Sequence, residues 1–202
     1  MTLSTPAQAL AWIRRAGIAT AAAHVEGVPC FVEAITGERI KGSWWGHPQG
    51  KLIFMLGESL DGAAEVMSLK LLDGKETFVH AALWPSLLAV VLDDKWRLAR
   101  WKTLNPITKA LWLKVEVASR RGGPPATVKA LEESLLVHCA SEHTETGRHE
   151  KRMTAWSQWA KARKVKSAGS CATALKKLQA KASGHPTALA AERLRVLTLN
   201  RR

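Results

Sequence analysis

The sequence predicts an α+β fold that is predominantly helical, and three observations support that class. Hydrophobic residues make up 47% of the 202 residues, which is enough to bury a core and too many for a disordered chain. Several segments carry apolar residues at the three- and four-residue spacing of amphipathic helices, with recognisable caps. Around Asp73-Gly74, a dipeptide that favours a two-residue hairpin turn, apolar and polar residues alternate instead.

Residues 1–92 predict three short helices followed by a β-hairpin. Thr5-Pro6-Ala7-Gln8 is a capping box with proline at the first helical position, and Gly17 ends this first helix. The next four predicted elements are two helices and two strands: Val28–Ile35, Gln49–Leu60, Val66–Leu72 and Lys75–His80. Three helices and a hairpin follow the order of a winged helix, so we expect winged-helix-like units with a β-hairpin wing.

The rest of the chain predicts helices separated by polar segments. Asp93–Leu104 is interpreted as a polar, Trp-rich connection, and Arg120–Pro125 as a linker. The predicted helices are Ala82–Leu92, one capped by Asn105-Pro106 that runs to Ala118, Thr127–Cys139, and one from about Gly147 to Lys164. The predicted organisation is a unit over 1–92, a basic connection and helix over 93–123, and a basic helical unit over 124–202, packed as one globule.

The sequence shows no marks of secretion or membrane insertion. Its N-terminus has no basic region before an apolar one, and Trp84-Pro85 interrupts its longest apolar run. The three cysteines form no CxxC pair, and no P-loop or glycine-rich dinucleotide motif is present. We therefore expect a cytoplasmic, monomeric protein that has no membrane partner and needs no small-molecule cofactor.

Charge is the most informative property of the composition. The formal net charge is +13, and it is unevenly placed. Residues 1–92 hold seven Lys and Arg against eight Asp and Glu, whereas residues 93–202 hold 23 against nine. A near-neutral half joined to a strongly basic half predicts a polyanionic partner, with nucleic acid first and an anionic membrane surface second.

Titratable side chains are concentrated in His138–Arg152, between two predicted helices. This stretch holds three histidines and three glutamates. One interpretation is a catalytic loop that opens into a helix, and the alternative is a polar turn whose acids and bases neutralise one another. His138, Cys139, His143, Glu145 and His149 are possible metal ligands. Their spacing matches neither HExxH nor a zinc finger, so no metal is expected.

Aromatic residues lie beside cations in several places. Nine tryptophans include Trp96-Arg97 and Arg100-Trp101-Lys102, a pattern typical of surfaces on which bases stack and phosphates pair. Trp44-Trp45 has two possible roles, a core plug under the hairpin or a surface that contacts DNA.

Two runs of residues resemble a known family. The first is Ser43-Trp44-Trp45-Gly46-His47-Pro48-Gln49-Gly50-Lys51, followed by Gly74-Lys75-x-Thr77-Phe78-Val79-His80-x3-Trp84-Pro85-x-Leu87-Leu88-Ala89. The second is Leu135-Leu136-Val137-His138-x4-His143-Thr144-Glu145-x-Gly147-x-His149. Over about residues 25–160 the chain resembles small bacterial proteins that look like distant relatives of the AlkZ winged-helix DNA glycosylases.

The resemblance implies a DNA glycosylase that binds double-stranded DNA and removes an alkylated or bulky base. A bulky base of phage DNA would make it a defence enzyme. The Gln-x-Gln or Gln-x-Asp motif of AlkZ-type enzymes is missing, because Gln8, Gln49, Gln158 and Gln179 are unpaired in sequence. Function does not follow from fold alone, so a non-catalytic winged-helix DNA-binding protein and an RNA-binding protein remain open.

Base excision needs a flipped nucleotide, a group that stabilises the cationic sugar, and a basic cleft. Glu145 is the predicted carboxylate, with His143 or His149 as its acid–base partner. The predicted DNA contacts are Trp44, Trp45 and His47 as wedge or pocket wall, and Lys51, Lys102, Arg148, Lys151 and Arg152 as cations.

Overall fold

The computed structural model describes residues 2–143 and 149–182, and describes His143 and His149 by their backbone alone. The described chain forms two compact units. Unit 1 comprises residues 2–84 and 177–182, and unit 2 comprises residues 85–143 and 149–176. Helices predominate and each unit has one small antiparallel sheet, which confirms the predicted α+β class.

Unit 1 contains three helices and three strands. They are α1 (Pro6–Ala16), β1 (Ile18–Thr20), α2 (Phe31–Thr36), α3 (Gly50–Asp61), β2 (Val66–Leu72) and β3 (Lys75–His80), with short 3-10 turns at Trp44–Gly46 and Ala81–Leu83. The three helices and the hairpin predicted from the sequence are confirmed to within a few residues. The strand β1 is an addition, because three residues are too few to show an alternating pattern.

The caps and turns of unit 1 act as the sequence predicts. Thr5 accepts a hydrogen bond from the backbone of Gln8, and the Gln8 side chain accepts one in return, which starts α1. Gly17 ends the helix at a φ of 76° that disfavours residues with a side chain. The sheet order is β1-β3-β2, and buried Val79 pairs with both Ile18 and Met67.

The core of unit 1 lies between this sheet and its helices. Ile13 on α1 and Leu56 on α3 are fully buried and meet Phe31 and Phe78 in one apolar cluster. The rings of Phe31 and Phe78 pack edge to face, with centroids 5.5 Å apart. Burial of this apolar face stabilises helices that are too short to persist alone.

Unit 2 is built from the remaining elements. They are α4 (Trp84–Val91), α5 (Asp94–Thr103), α6 (Pro106–Val117), β4 (Arg120–Arg121), α7 (Pro125–Ser134), β5 (Val137–His143), β6 (His149–Ala155), α8 (Trp156–Arg163) and α9 (Cys171–Lys181). The first residue of α4, Trp84, and residues 177–181 of α9 belong to unit 1. The predicted α4 and α6 are confirmed. The sheet order is β4-β6-β5.

Two segments predicted to be irregular are ordered elements. Asp93–Leu104 is not a connection but contains helix α5, which begins where the Asp93 side chain accepts a hydrogen bond from the Trp96 backbone at 2.9 Å. Arg120 and Arg121 are not a free linker, because they form strand β4 and pair with Met153 and Arg152 of β6. Their pairing partners lie about thirty positions away in sequence, and local turn signals carry no information about them.

Two predicted helices extend into what are in fact strands. The helix predicted over Thr127–Cys139 ends at Ser134, because Leu135 adopts a left-handed conformation with φ 56°. The helix predicted from about Gly147 to Lys164 is also wrong over His149–Ala155, which is strand β6. The first error arose because Leu131, Leu135 and Cys139 follow one another at the four-residue spacing of a helix, although Val137 and Cys139 also alternate as in a strand.

The core of unit 2 lies under the inner face of the second sheet. Val137 and Cys139 of β5 and Met153 of β6 pack with Leu131 of α7 and Val115 of α6. Cys139 and Met153 are direct cross-strand partners, which places both on the inner face of the hairpin. This register fixes which polar residues face outward.

The two units share one chain order. Each has a helix, a short strand, at least one further helix and a β-hairpin, and in each the short strand pairs with the second strand of the hairpin. The helix before the hairpin is α3 in unit 1 and α7 in unit 2. No sequence repeat accompanies this correspondence, so it rests on chain path and pairing alone.

Candidate nucleic-acid interface

Two of the three predicted catalytic residues, His143 and His149, lie at one end of the β5–β6 hairpin. Glu145 and Arg148 fall outside the described residues. His143 and His149 end the two strands, and their backbones are direct partners in the ladder. The hairpin thus brings the chain at His143 and at His149 together, whereas the sequence predicted a loop that opens into a helix.

The outer face of the second sheet carries a cluster of ions centred on Glu142. Its carboxylate binds Arg152 of β6 and lies 2.9 Å from the Nε of Arg121 on β4. The hydrogen bond from Arg152 holds the pKa of Glu142 below its usual range. Glu142 therefore stays ionised and links three strands, with one oxygen hydrogen-bonded to Arg152 and the other ion-paired with Arg121.

The two hairpin cations predicted to bind phosphate have partners within unit 2. The Nζ of Lys151 lies 2.9 Å from Glu132 on α7, and the Arg152 guanidinium is held by Glu142. A paired cation contributes less to phosphate binding, because its partner must first be displaced. These residues stay predicted DNA contacts, but the fold already uses their charges.

His138 and Cys139 are poor candidates for metal ligation or catalysis. The His138 ring lies 5.6 Å from the ring centroids of both Trp156 and Trp159. Burial lowers the pKa of His138 to about 4, so its imidazole is neutral near pH 7. Burial also raises the pKa of the Cys139 thiol to about 12, which keeps it protonated and unreactive.

The sequence left two roles open for Trp44 and Trp45, a core plug or an exposed surface, and each tryptophan fits one of them. Trp44 is partly buried and packs on the unit 1 core. Trp45 is 67% exposed and stacks on Trp44, with ring centroids 4.3 Å apart and an angle of 21° between the planes. Phe54 of α3 lies beside Trp45 at 5.8 Å. Trp44 therefore attaches the pair to the core, and the Trp45 ring is exposed to solvent.

The other predicted contacts of unit 1, His47 and Lys51, follow this pair closely in sequence. His47 is partly buried, accepts a hydrogen bond from the Gln49 backbone through Nδ1, and lies 3.6 Å from Glu38. Lys51 is exposed on the first turn of α3. His47 thus supports the turn that carries Trp44 and Trp45, while Lys51 is available to a ligand.

The tryptophans beside cations in residues 93–123 are largely explained by internal packing. Arg100 is buried over the ring of Trp96, at 4.9 Å from its centroid, and Arg97 lies over Trp112 at 5.4 Å. Lys102, the residue predicted to contact DNA, is exposed on the last turn of α5. The arginines of this Trp-rich segment therefore pack on tryptophan rings within the protein.

The helices that precede the hairpins are not basic. The helix α3 carries Lys51 against Glu58 and Asp61, and α7 carries Lys129 against Glu132 and Glu133. In helix-turn-helix proteins the recognition helix enters the major groove with its side chains against the bases. Neither α3 nor α7 has the positive charge that would favour that approach.

A run of cations at the end of α8 was not among the predicted DNA contacts. Lys161, Arg163, Lys164 and Lys166 are all exposed. The three lysines have no ion-pair partner within residues 2–143 and 149–182. The signal that could have found them is the absence of acids from residue 151 to residue 182.

The described part of the chain has neither a metal-binding cluster nor a membrane-spanning helix. Within it, no three His, Cys, Asp or Glu side chains are grouped closely enough to hold a metal ion. None of its helices combines the length and apolarity needed to span a lipid bilayer. Comparisons with protein-family models, curated proteins and solved structures found no match to the chain.

Proposed function

We propose that the protein binds double-stranded DNA, as a monomer in the cytoplasm, through the cations of unit 2. The order of helices, short strand and hairpin in both units supports the further proposal of a winged-helix architecture. The wing of each unit would be its hairpin, β2–β3 or β5–β6.

The observation that carries this proposal is the exposed run Lys161–Lys166. Within six residues it holds four cations and no acid, and three of them are lysines without a described ion-pair partner. Neutralising phosphates with such side chains releases condensed counterions, which is the main source of affinity in sequence-independent DNA binding. A polyanion is the partner that this surface fits.

The composition of α3 and α7 determines what kind of binding to expect. Helices with one lysine and two acids are unsuited to the negative potential of the major groove. Contacts to the backbone position a protein on DNA but carry little sequence information. The protein should therefore bind duplexes of different sequence with similar affinity.

The test compares two triple variants in a salt titration of binding to a labelled duplex. One replaces Lys161, Lys164 and Lys166 with Gln. The control replaces Lys75, Lys95 and Lys129, three exposed lysines in other elements, with the same loss of charge. The first variant should lower the slope of log K against log salt by about 0.9 per lost contact, or about 2.7 in all. The control should lower it much less.

Two results would contradict the proposal. Equal slopes for the two variants would show that net charge, and not this surface, drives association. Single-stranded RNA that displaces the duplex at far lower concentration than competitor DNA would assign the protein to RNA instead.

A second candidate function is DNA glycosylase activity without a metal, with Glu145 as the carboxylate and His143 or His149 as acid–base partner. The exposed Trp45, anchored by Trp44, favours it, because base flipping requires a rigid apolar group to replace or hold the extruded base. The resemblance to AlkZ relatives points the same way.

The activity test uses duplexes with alkylated or bulky modified bases, treated with hot alkali after incubation. Strand breaks at abasic sites with wild type, and their loss with Glu145→Gln, would support the glycosylase. Wild type that binds the duplex but leaves no alkali-sensitive sites would leave the non-catalytic DNA-binding protein as the function.

A further inference from the structure

We propose that unit 1 holds an unpaired nucleobase on Trp45, so that the protein prefers DNA containing an unpaired nucleotide to fully paired DNA. The inference rests on the proposed DNA binding and names the feature of DNA that unit 1 recognises. Stacking on an aromatic ring is the principal way in which proteins bind unpaired bases without reading their sequence.

The Trp45 ring is held in a fixed orientation. Stacking on Trp44, at 4.3 Å between centroids, orients the ring, and Trp44 is itself fixed against the core. The turn beneath is held by Ser43, whose hydroxyl accepts a hydrogen bond from the Trp45 backbone at 3.3 Å. With 67% of Trp45 exposed, a preorganised ring surface remains available to a ligand.

Positive charge in unit 1 is concentrated in the stretch of sequence that contains Trp45. Residues 39–57 contain Arg39, Lys41 and Lys51 and no acid, whereas the remainder of residues 1–92 has four cations and eight acids. All three cations are exposed. These three cations thus lie in the same stretch of sequence as Trp45 and Phe54. Aromatic rings combined with nearby cations match the bases and phosphates of an unpaired strand.

The outer face of α3 exposes apolar side chains. Phe54 and Met55 are each 48% exposed and extend the apolar surface next to Trp45. Paired bases in a duplex offer only their edges in the grooves, whereas an unpaired base offers its whole ring. An apolar helix face beside an exposed tryptophan therefore suits an unpaired base better than a duplex groove.

The experiment uses three DNAs of one sequence: a fully paired duplex, a duplex with one bulged 2-aminopurine, and a single strand containing 2-aminopurine. Wild type should bind the bulged duplex about tenfold more tightly than the paired duplex, and should quench the 2-aminopurine fluorescence as the base stacks. Trp45→Ala should abolish both the preference and the quenching. Trp45→Phe should retain part of each.

The matched control is Ile107→Ala in α6, since Ile107 is 69% exposed and Trp45 is 67% exposed. This control should behave as wild type in binding and in quenching. Circular dichroism spectra and unfolding midpoints of all variants establish that any loss is local. Sedimentation velocity at several concentrations tests the competing role of the same apolar surface in self-association.

Each result decides the inference. Equal affinity of wild type for bulged and paired duplex, or an unchanged preference in Trp45→Ala, overturns it and leaves the proposed binding by Lys161, Lys164 and Lys166 intact. A wild-type dimer that Trp45→Ala makes monomeric also overturns it, because the ring would then be an interface between copies. Failure of all three DNAs to bind at low salt would instead remove the proposed function itself.

Discussion

Unit 1 and unit 2 follow the same chain order but present different surfaces. Each contains a hairpin whose second strand is central, preceded by a helix with one lysine and two acids. Unit 1 exposes the aromatic ring of Trp45, whereas unit 2 exposes the cations of Lys161–Lys166. The comparison shows that chain path sets where side chains can be placed, and that their chemistry sets what each unit can bind.

The largest expected effect comes from truncating one buried leucine in the corresponding helix of each unit. Leu56 of α3 and Leu131 of α7 are both fully buried. Either Leu→Ala change should cost about 3 kcal/mol in the free energy of unfolding. If the units unfold separately, Leu56→Ala should move one urea transition and Leu131→Ala the other. A single transition shifted equally by both would show that the units unfold together.

The next effect concerns His138 of unit 2, whose ring packs against Trp156 and Trp159. Because the folded pKa is about 4 and the unperturbed pKa is near 6.5, the unfolded state binds the proton more readily. Stability should therefore fall as pH drops from about 6.5 to 4, by up to about 3 kcal/mol. His138→Phe should remove this slope in urea unfolding measured at each pH. His24→Gln, a surface change, should keep it.

A smaller effect is expected from the N-caps of α1 and α5. Asp93 accepts the Trp96 N–H at 2.9 Å, and Thr5 accepts the Gln8 N–H at 3.3 Å. Asp93→Ala should cost about 1 kcal/mol, and Thr5→Ala should cost less because its hydrogen bond is longer. Thermal or urea unfolding measures both. A larger loss for Thr5→Ala would show that the capping box as a whole, and not this bond alone, stabilises α1.

The smallest effect is expected at the carboxylate that joins two basic side chains in each unit. Glu65 lies 2.6 Å from Arg14 and 2.9 Å from His80, and Glu142 binds Arg121 and Arg152. Hydrogen bonds from Arg14 to Glu65, and from Arg152 to Glu142, lower the pKa of each carboxylate.

Both ion clusters should stabilise the fold above about pH 4.5 and lose that contribution as pH falls through the lowered pKa. Glu65→Gln and Glu142→Gln should each flatten the loss of stability below that pH. Exposed ion pairs contribute little, so the shift in unfolding midpoint should be slight and should shrink in high salt. A strong dependence of either variant on salt near neutral pH would indicate a wider electrostatic role.

The elements of the fold that depend on nearby residues, such as helix caps and a tight turn, were predictable from the sequence. Thr5 and Asn105 begin helices, and Asp73-Gly74 turns the first hairpin, because caps and turns are satisfied by neighbours within four residues. The second hairpin was missed because β5 and β6 become strands only through each other, and Leu135 gives no glycine signal for the end of α7.

The candidate site was predictable in its residue types but not in their use. Composition alone located the positive charge in the second half of the chain and drew attention to Trp44 and Trp45. It did not show that Arg152 would be paired with an acid while Lys164 remained exposed. Whether a cation is paired depends on which side chains folding brings beside it.

The sequence by itself therefore determined the α+β class, the first hairpin, most helix starts and the separation of charge, all of which depend on neighbouring residues or on composition. Only the tertiary structure decided that Trp45 is exposed over a partly buried Trp44 and that Glu142 is held by two arginines. The physical reason is that burial and ion pairing are set by partners brought together through folding, whose distance along the chain leaves no local pattern.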